Sequence, residues 1–415
     1  MSIREEFSRI PRANRFGLII LTLINMQDGF DLLAISFAAN AISNDWGIAR
    51  SELGWVFSAA LFGMLFGATL LSPYADKYGR KTVTIIGLLL SGIGMSIAAL
   101  SPSLEWLLVG RFITGVGVGA IITSLNTLAA EYAGEKLRST MISIFQLGFP
   151  IGAIMAGYVC LWLLDIATWR HVFAFGAGLS FVFIPFVIWM PESEEYLKYK
   201  QGNHDIVGKG ADGQILKKSG SISVLFTKTY RSRTILISLS FFLQLLVLYF
   251  LLSWTPKLVE DMGYSSADGN RAGRLINLVG MLGILVIGFI ALRINITKTT
   301  VAFYLGLAVM LALVASMSPS LAVLTSLIAI TGFFTHGAMI GLYSSVPSLY
   351  PVELRAAGSG WAIGISRLGA VFGPLIGGYL LGFGVSEQHL FYAFIPAALV
   401  AALCVALLYK ETLRH

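Results

Sequence analysis

The sequence predicts an all-α polytopic membrane protein: twelve transmembrane helices in two pseudo-symmetric six-helix bundles. Three observations carry that prediction. The 415-residue chain is 56% hydrophobic and only 12% charged, about half the charge of soluble domains, and its mean hydropathy is +0.78. Apolar stretches of roughly 18–25 residues recur along the whole length, each long enough to cross a bilayer as a helix. A polar stretch divides them six and six.

The first six spans lie near 16–41, 53–72, 83–100, 105–128, 139–163 and 172–190. The second six lie near 234–256, 272–292, 299–317, 320–347, 358–382 and 390–409. The expected organisation is a bundle over 1–190, a cytoplasmic linker over 191–233, rich in Gly and Lys, and a second bundle over 234–415. Basic residues set the orientation. With the N-terminus inside, 22 of the 29 Lys and Arg fall in inner segments and five in outer loops, so both termini are expected in the cytoplasm of a cell whose inner (plasma) membrane holds the chain. That bias accounts for the net charge of +7, which therefore does not indicate nucleic acid. The basic leader Arg4–Arg15 lacks the pattern of a cleavable signal. Cys160 and Cys404 lie in separate apolar spans and read as small core residues.

Span 1 contains the energetic anomaly, Asp28 and Asp31 in the run Asn25-Met26-Gln27-Asp28-Gly29-Phe30-Asp31. A carboxylate at mid-membrane is costly, and residues at i and i+3 share a helix face. Intramembrane acids mark proton relays and ion pathways. Burial and a like charge nearby both favour the neutral acid, which suits this pair to proton coupling. The alternative is that both lie near an interface and are solvated.

Other polar side chains interrupt the spans. Arg111 in span 4 and Arg367 in span 11 stay charged, so each needs a counter-ion or an anionic ligand. Arg111 reads either as a fixed partner of a span 1 acid or as part of the coupling. Arg367 reads as the receiver of a substrate carboxylate, or else as a tie between helices. Asn25, Gln146, Gln244 and His336 are candidates to line a substrate cavity, against the plainer role of joining helices.

The halves repeat. Gln146-Leu147-Gly148 through Gly152 to Gly157-Tyr158 matches Arg367-Leu368-Gly369 through Gly373 to Gly378-Tyr379 at one offset of 221. Six-helix halves with internal symmetry belong to one large transporter class, whose site lies near the midplane where the halves meet. Glycines in spans 4 and 11 allow close helix approach, and Gly373-Pro374 offers a bend.

The segment Ser72-Pro73-Tyr74-Ala75-Asp76-Lys77-Tyr78-Gly79-Arg80-Lys81 resembles the signature of the major facilitator superfamily between its second and third helices, with Ser72 in place of the first Gly. Arg111 to Gly119 resembles its fourth-helix motif, and Pro191-Glu192-Ser193 follows span 6 as in its sugar and organic-ion porters. Within the superfamily, Asp28-Gly29-Phe30-Asp31, Asp45-Trp46-Gly47 and the segment Tyr350-Pro351 to Arg355 resemble the aromatic acid:proton symporters. Leu292 stands where the second copy of the signature carries Asp. The resemblance implies proton-coupled uptake of an organic carboxylate by alternating access. An aromatic acid is first choice, and a ring-cleavage dicarboxylate such as muconate second. It implies a latch at Asp76, Arg80 and Lys81, and gate charges in the matching pairs Glu131 with Arg138 and Glu353 with Arg355. Proton-driven export and a non-transporting membrane sensor are the alternatives. No enzyme activity or cofactor is expected; the proton gradient supplies the energy. The partners are a small organic anion, protons and the lipid bilayer, and the carrier is expected to act as a monomer.

Overall fold

A computed structural model describes residues 10–71, 74–193, 196–197, 200, 222–291, 293–316, 320–346 and 349–412. Twelve helices in it are long and apolar enough to cross a membrane, and no strand occurs among the described residues. The helices are α1 (Arg12–Trp46), α2 (Arg50–Phe66, continued by a π-helical turn Gly67–Leu71), α3 (Arg80–Ala99), α4 (Leu104–Gln146), α5 (Gly148–Ile166) and α6 (Trp169–Trp189). They continue with α7 (Arg231–Asp261), α8 (Ser266–Ala291), α9 (Ile296–Ser316), α10 (Leu321–Ser345), α11 (Val352–Gly382) and α12 (Ile395–Thr412).

Several helices outrun the expected spans. Trp46 closes α1 because Gly47 turns the chain at φ 62°, a conformation that glycine adopts without steric cost. The loop expected at 129–138 is helical, since α4 runs on to Gln146. Its sequence there is rich in Ala, Glu, Lys, Leu and Arg, all strong helix formers. The break falls at Leu147 instead, and Pro150 is accommodated in the first turn of α5, where its missing N–H costs nothing. Likewise α11 begins at Val352, directly after Pro351.

The chain forms two compact units. The first comprises residues 1–46 and 59–207, the second 47–58 and 208–415. In the first, α1 packs on α5, and α3 on α4 and α6. Ile24, Leu88, Leu125, Leu128, Phe145 and Val187 belong to its apolar core. In the second, α7 packs on α11, and α8 on α10. The outer turns of α2 that belong to this unit are held by three contacts. Gly54 lies against the Pro374 carbonyl and the Gly378 Cα. Ser58 donates to the Val371 carbonyl at 2.8 Å, beside the Pro374 break, and Phe57 meets Trp254 edge to face.

The sequence repeat is a packing repeat. A Cβ at Gly148 or Gly152 on α5 would strike the carbonyls of Thr22 or Met26 on α1. A Cβ at Gly369 or Gly373 on α11 would strike those of Phe242 or Leu246 on α7. Each unit thus seats two glycines, four residues apart, on two successive carbonyls of its facing helix. Only a residue without a side chain permits that approach.

Candidate functional site

The interior of the first unit gathers the charges anticipated from span 1. Asp28, Asp31 and Arg111 line one pocket with Leu32, Ala60, Met64, Thr114, Gly115 and Val118. All three charged residues are buried, Arg111 completely. Their burial speaks against the alternative of solvated acids.

Asp31 is held asymmetrically. Its Oδ2 accepts from Ser91 Oγ of α3 at 3.0 Å and from Gln27 Nε2 at 3.3 Å. Gln27, one turn earlier on α1, also donates to Ser180 Oγ of α6. The other oxygen, Oδ1, takes no hydrogen bond among the described residues and faces Gly176, where a Cβ would stand 3.0 Å from it. Arg111 reaches from α4, and its Nη1 donates to the main-chain carbonyl of Asp31 at 2.9 Å. The guanidinium also lies over the Phe173 ring at 5.9 Å. Its Nε and Nη2 take no hydrogen bond among the described residues. Arg111, a candidate for the substrate as well as for the coupling, thus lines the same pocket as the two acids and is bonded to the main chain of Asp31.

The remaining candidates do not converge on that pocket. Asn25 donates to the Phe145 carbonyl at 2.7 Å and joins α1 to α4. Gln146 is exposed and donates to Asn126 Oδ1 at 3.2 Å. Asn25 thus serves a contact between helices, while the Gln146 bond stays within α4. In the second unit, Gln244 is buried and donates to the Thr335 carbonyl at 2.8 Å. His336 is buried with Nδ1 3.0 Å from the Gly332 carbonyl. Arg367 is partly buried and lies within electrostatic reach of the Tyr343 hydroxyl.

The expected latch is visible in part. Arg80 pairs with Glu131 and also donates to Ser193. Glu192 accepts from the Lys81 backbone N–H at 3.1 Å, while the Lys81 ammonium caps the α6 terminus through the Met190 carbonyl at 3.0 Å. Gly79, at φ 97°, leaves room for the Glu192 carboxylate. The Pro191-Glu192-Ser193 motif is thus the counterpart of the basic loop. The side chains of Asp76, Arg138 and Glu353, and all of Leu292, lie outside the described residues. In the second unit, Arg355 is exposed and donates to the Tyr350 carbonyl at 3.2 Å. Tyr350 Oη and Thr234 Oγ1 are 3.0 Å apart. The Thr234 proton is committed to Leu225, so Tyr350 donates; burial pushes its phenol above the ordinary range.

Gln27, Ser91 and Ser180 escaped the sequence reading. Gln27 could have been found from its i−4 spacing to Asp31. The serines carry no such signal, because only the tertiary fold brings them inward.

Comparison with known proteins agrees with this fold. The family model described as Major Facilitator Superfamily matches residues 19–328 and 275–414. A 4-hydroxybenzoate transporter of Pseudomonas aeruginosa is 33% identical over 96% of this chain and 92% of its own length. A gallate transporter of Pseudomonas putida is 34% identical over 94% of this chain and 90% of its own length. Among solved structures, a D-xylose-proton symporter superposes with a TM-score of 0.75 at 16% identity, covering 94% of this chain and 96% of its own.

Proposed function

The chain belongs to the Major Facilitator Superfamily, a family of transporters rather than enzymes, and from that premise we propose that it takes up an aromatic carboxylate together with protons. The observation that carries the coupling is the pocket shared by Asp28, Asp31 and Arg111. The pocket lining carries two carboxylates and one guanidinium, an excess of one negative charge among those three groups, and burying negative charge is costly. One proton removes that excess. Oδ1 of Asp31 is the atom suited to receive it, since Oδ2 already accepts two hydrogen bonds. Arg111 keeps the remaining carboxylate balanced through the cycle.

The names of the relatives support the substrate class, since both carry aromatic acids. Arg367 is the group we assign to the substrate carboxylate, because it is a partly exposed guanidinium at the middle of α11, fifteen residues from either end. A dicarboxylate such as muconate is the second substrate to examine. The basic residues orient both termini to the cytoplasm, so Arg80, Glu131, Lys81 and Glu192 act at the inner end during alternating access.

The test is uptake of labelled 4-hydroxybenzoate and muconate into proteoliposomes under an inward proton gradient. Accumulation of the aromatic acid that collapses with a protonophore is expected. No accumulation of any aromatic or dicarboxylic acid would overturn the reading. Protonophore-insensitive uptake would overturn the coupling alone.

A further inference from the structure

Among the buried acceptors of the second unit that take no hydrogen bond among the described residues, two amide oxygens, on Gln244 and Asn277, belong to residues near His336. Gln244 on α7 spends its amide N–H on the Thr335 carbonyl, and its Oε1 takes no hydrogen bond among the described residues. Asn277 on α8, 0% exposed, spends its own on the Gly273 carbonyl at 3.0 Å, and its Oδ1 is likewise without a donor. His336 on α10 faces the Gly332 carbonyl through Nδ1. A carbonyl only accepts, so Nδ1 carries the ring proton and Nε2 of the neutral ring is an acceptor.

These groups share one level of the unit. Gln244 is bonded to Thr335, the neighbour of His336 in sequence. The His336 ring lies against Gly280, where a Cβ would be 2.5 Å from Nδ1, and Gly280 is one turn from Asn277 on α8. A buried acceptor left unpaired is costly, and a carboxylate brought among three acceptors would be repelled. What satisfies them is a ligand that donates.

We propose that Gln244, Asn277 and His336 form a hydroxyl-recognition subsite that favours ring-hydroxylated aromatic acids over unsubstituted ones. The proposal rests on the reading of the chain as an aromatic acid carrier. It divides the ligand between two places in the second unit. Arg367, near Tyr343, takes the carboxylate, and the amide and imidazole acceptors take the hydroxyl. Tyr343 and His336 are seven residues apart on α10, about 10 Å along the helix axis. A benzene ring with para substituents spans that interval once the length of the Arg367 side chain is included.

The experiment compares the initial uptake of benzoate, 4-hydroxybenzoate and 3,4-dihydroxybenzoate by the full chain in proteoliposomes under a proton gradient. Asn277→Leu and Gln244→Met are then measured alongside. The wild type is expected to favour the hydroxylated acids, and either variant is expected to lower the ratio of hydroxylated to unsubstituted uptake about tenfold. A wild type that carries benzoate and 4-hydroxybenzoate equally well overturns the proposal without any variant. So does a ratio that moves in neither variant. If the wild type carries none of the three acids, the aromatic acid reading itself fails and the subsite with it.

Discussion

The two units are built on one packing plan and differ where the first is charged. Thr22 and Met26 of α1 occupy the places of Phe242 and Leu246 of α7, an offset of 220. At the same offset Asp28 and Asp31 fall on Leu248 and Leu251, which are 4% and 1% exposed. Gly63 lies on the Phe112 carbonyl as Gly283 lies on that of Phe333, so the α4 and α10 chains are related by 221 and Arg111 falls on Gly332. His336 takes the place of Gly115. The second unit therefore makes the same helix contacts with two leucines and a glycine where the first has three ions. Packing does not require the charges, and the proposed proton coupling gives them a use in the first unit. The second unit's neutral amides and imidazole suit recognition of a ligand.

The largest effect that could break this comparison is the loss of one carboxylate. Asp31→Asn is expected to reduce gradient-driven accumulation to that of empty liposomes while leaving the amount of inserted protein unchanged. Accumulation at the wild-type level in both Asp28→Asn and Asp31→Asn would assign coupling elsewhere. Next comes Arg111→Met, which removes the guanidinium from the pocket that Asp28 and Asp31 line. Breaking a buried pair from one side costs about 3–5 kcal/mol, so a large fall in thermal stability in detergent is expected. Adding Asp31→Asn should restore part of it, because the double variant again resembles the uncharged second unit. A strictly additive double variant would show that the two residues are not coupled.

The comparison also explains what the sequence could and could not convey. The number of spans, the intramembrane acids and the glycine repeat were all legible, because membrane crossing, charge burial and close helix approach each leave a local signal. The ends of α4 and α11 were not. The reading equated charged residues with loops, whereas Glu131 to Arg138 continues a helix whose formers are polar. The partners of Asp31 were illegible for another reason. Ser91 and Ser180 are ordinary small residues in apolar spans, and only the packing of α3 and α6 on α1 gives them a role. Glu131 was expected to act with Arg138, seven positions on, whose side chain lies outside the described residues; the pairing with Arg80 came only with the fold.

A smaller effect sharpens the shared plan itself. Gly152→Ala places a Cβ 1.7 Å from the Met26 carbonyl, and Gly373→Ala places one 2.3 Å from the Leu246 carbonyl. Neither main chain can yield without moving its helix, so each variant should lose about 1–3 kcal/mol, read as a lower melting temperature. Gly360→Ala, with nothing within 4 Å of the added carbon, should lose nothing measurable. If Gly360→Ala were as damaging as the other two, glycine at these positions would be acting through chain entropy and not through helix approach.

The smallest effect separates charge that is buried from charge that is merely paired. Arg50 in the second unit lies 2.5 Å from Glu387 and 3.5 Å from Asp261, but its side chain is 39% exposed. Solvent screens such a pair, and exposed ion pairs contribute about 0–1 kcal/mol. Arg50→Gln should therefore shift stability by less than about 1 kcal/mol, with added salt reducing even that. The same deletion of a guanidinium is expected to cost several times more at Arg111, because there the carboxylates it leaves behind have no water to take its place. Equal losses at the two arginines would mean that burial is not what distinguishes the charged interior of the first unit, and the contrast between the units would have to be sought in their ligands alone.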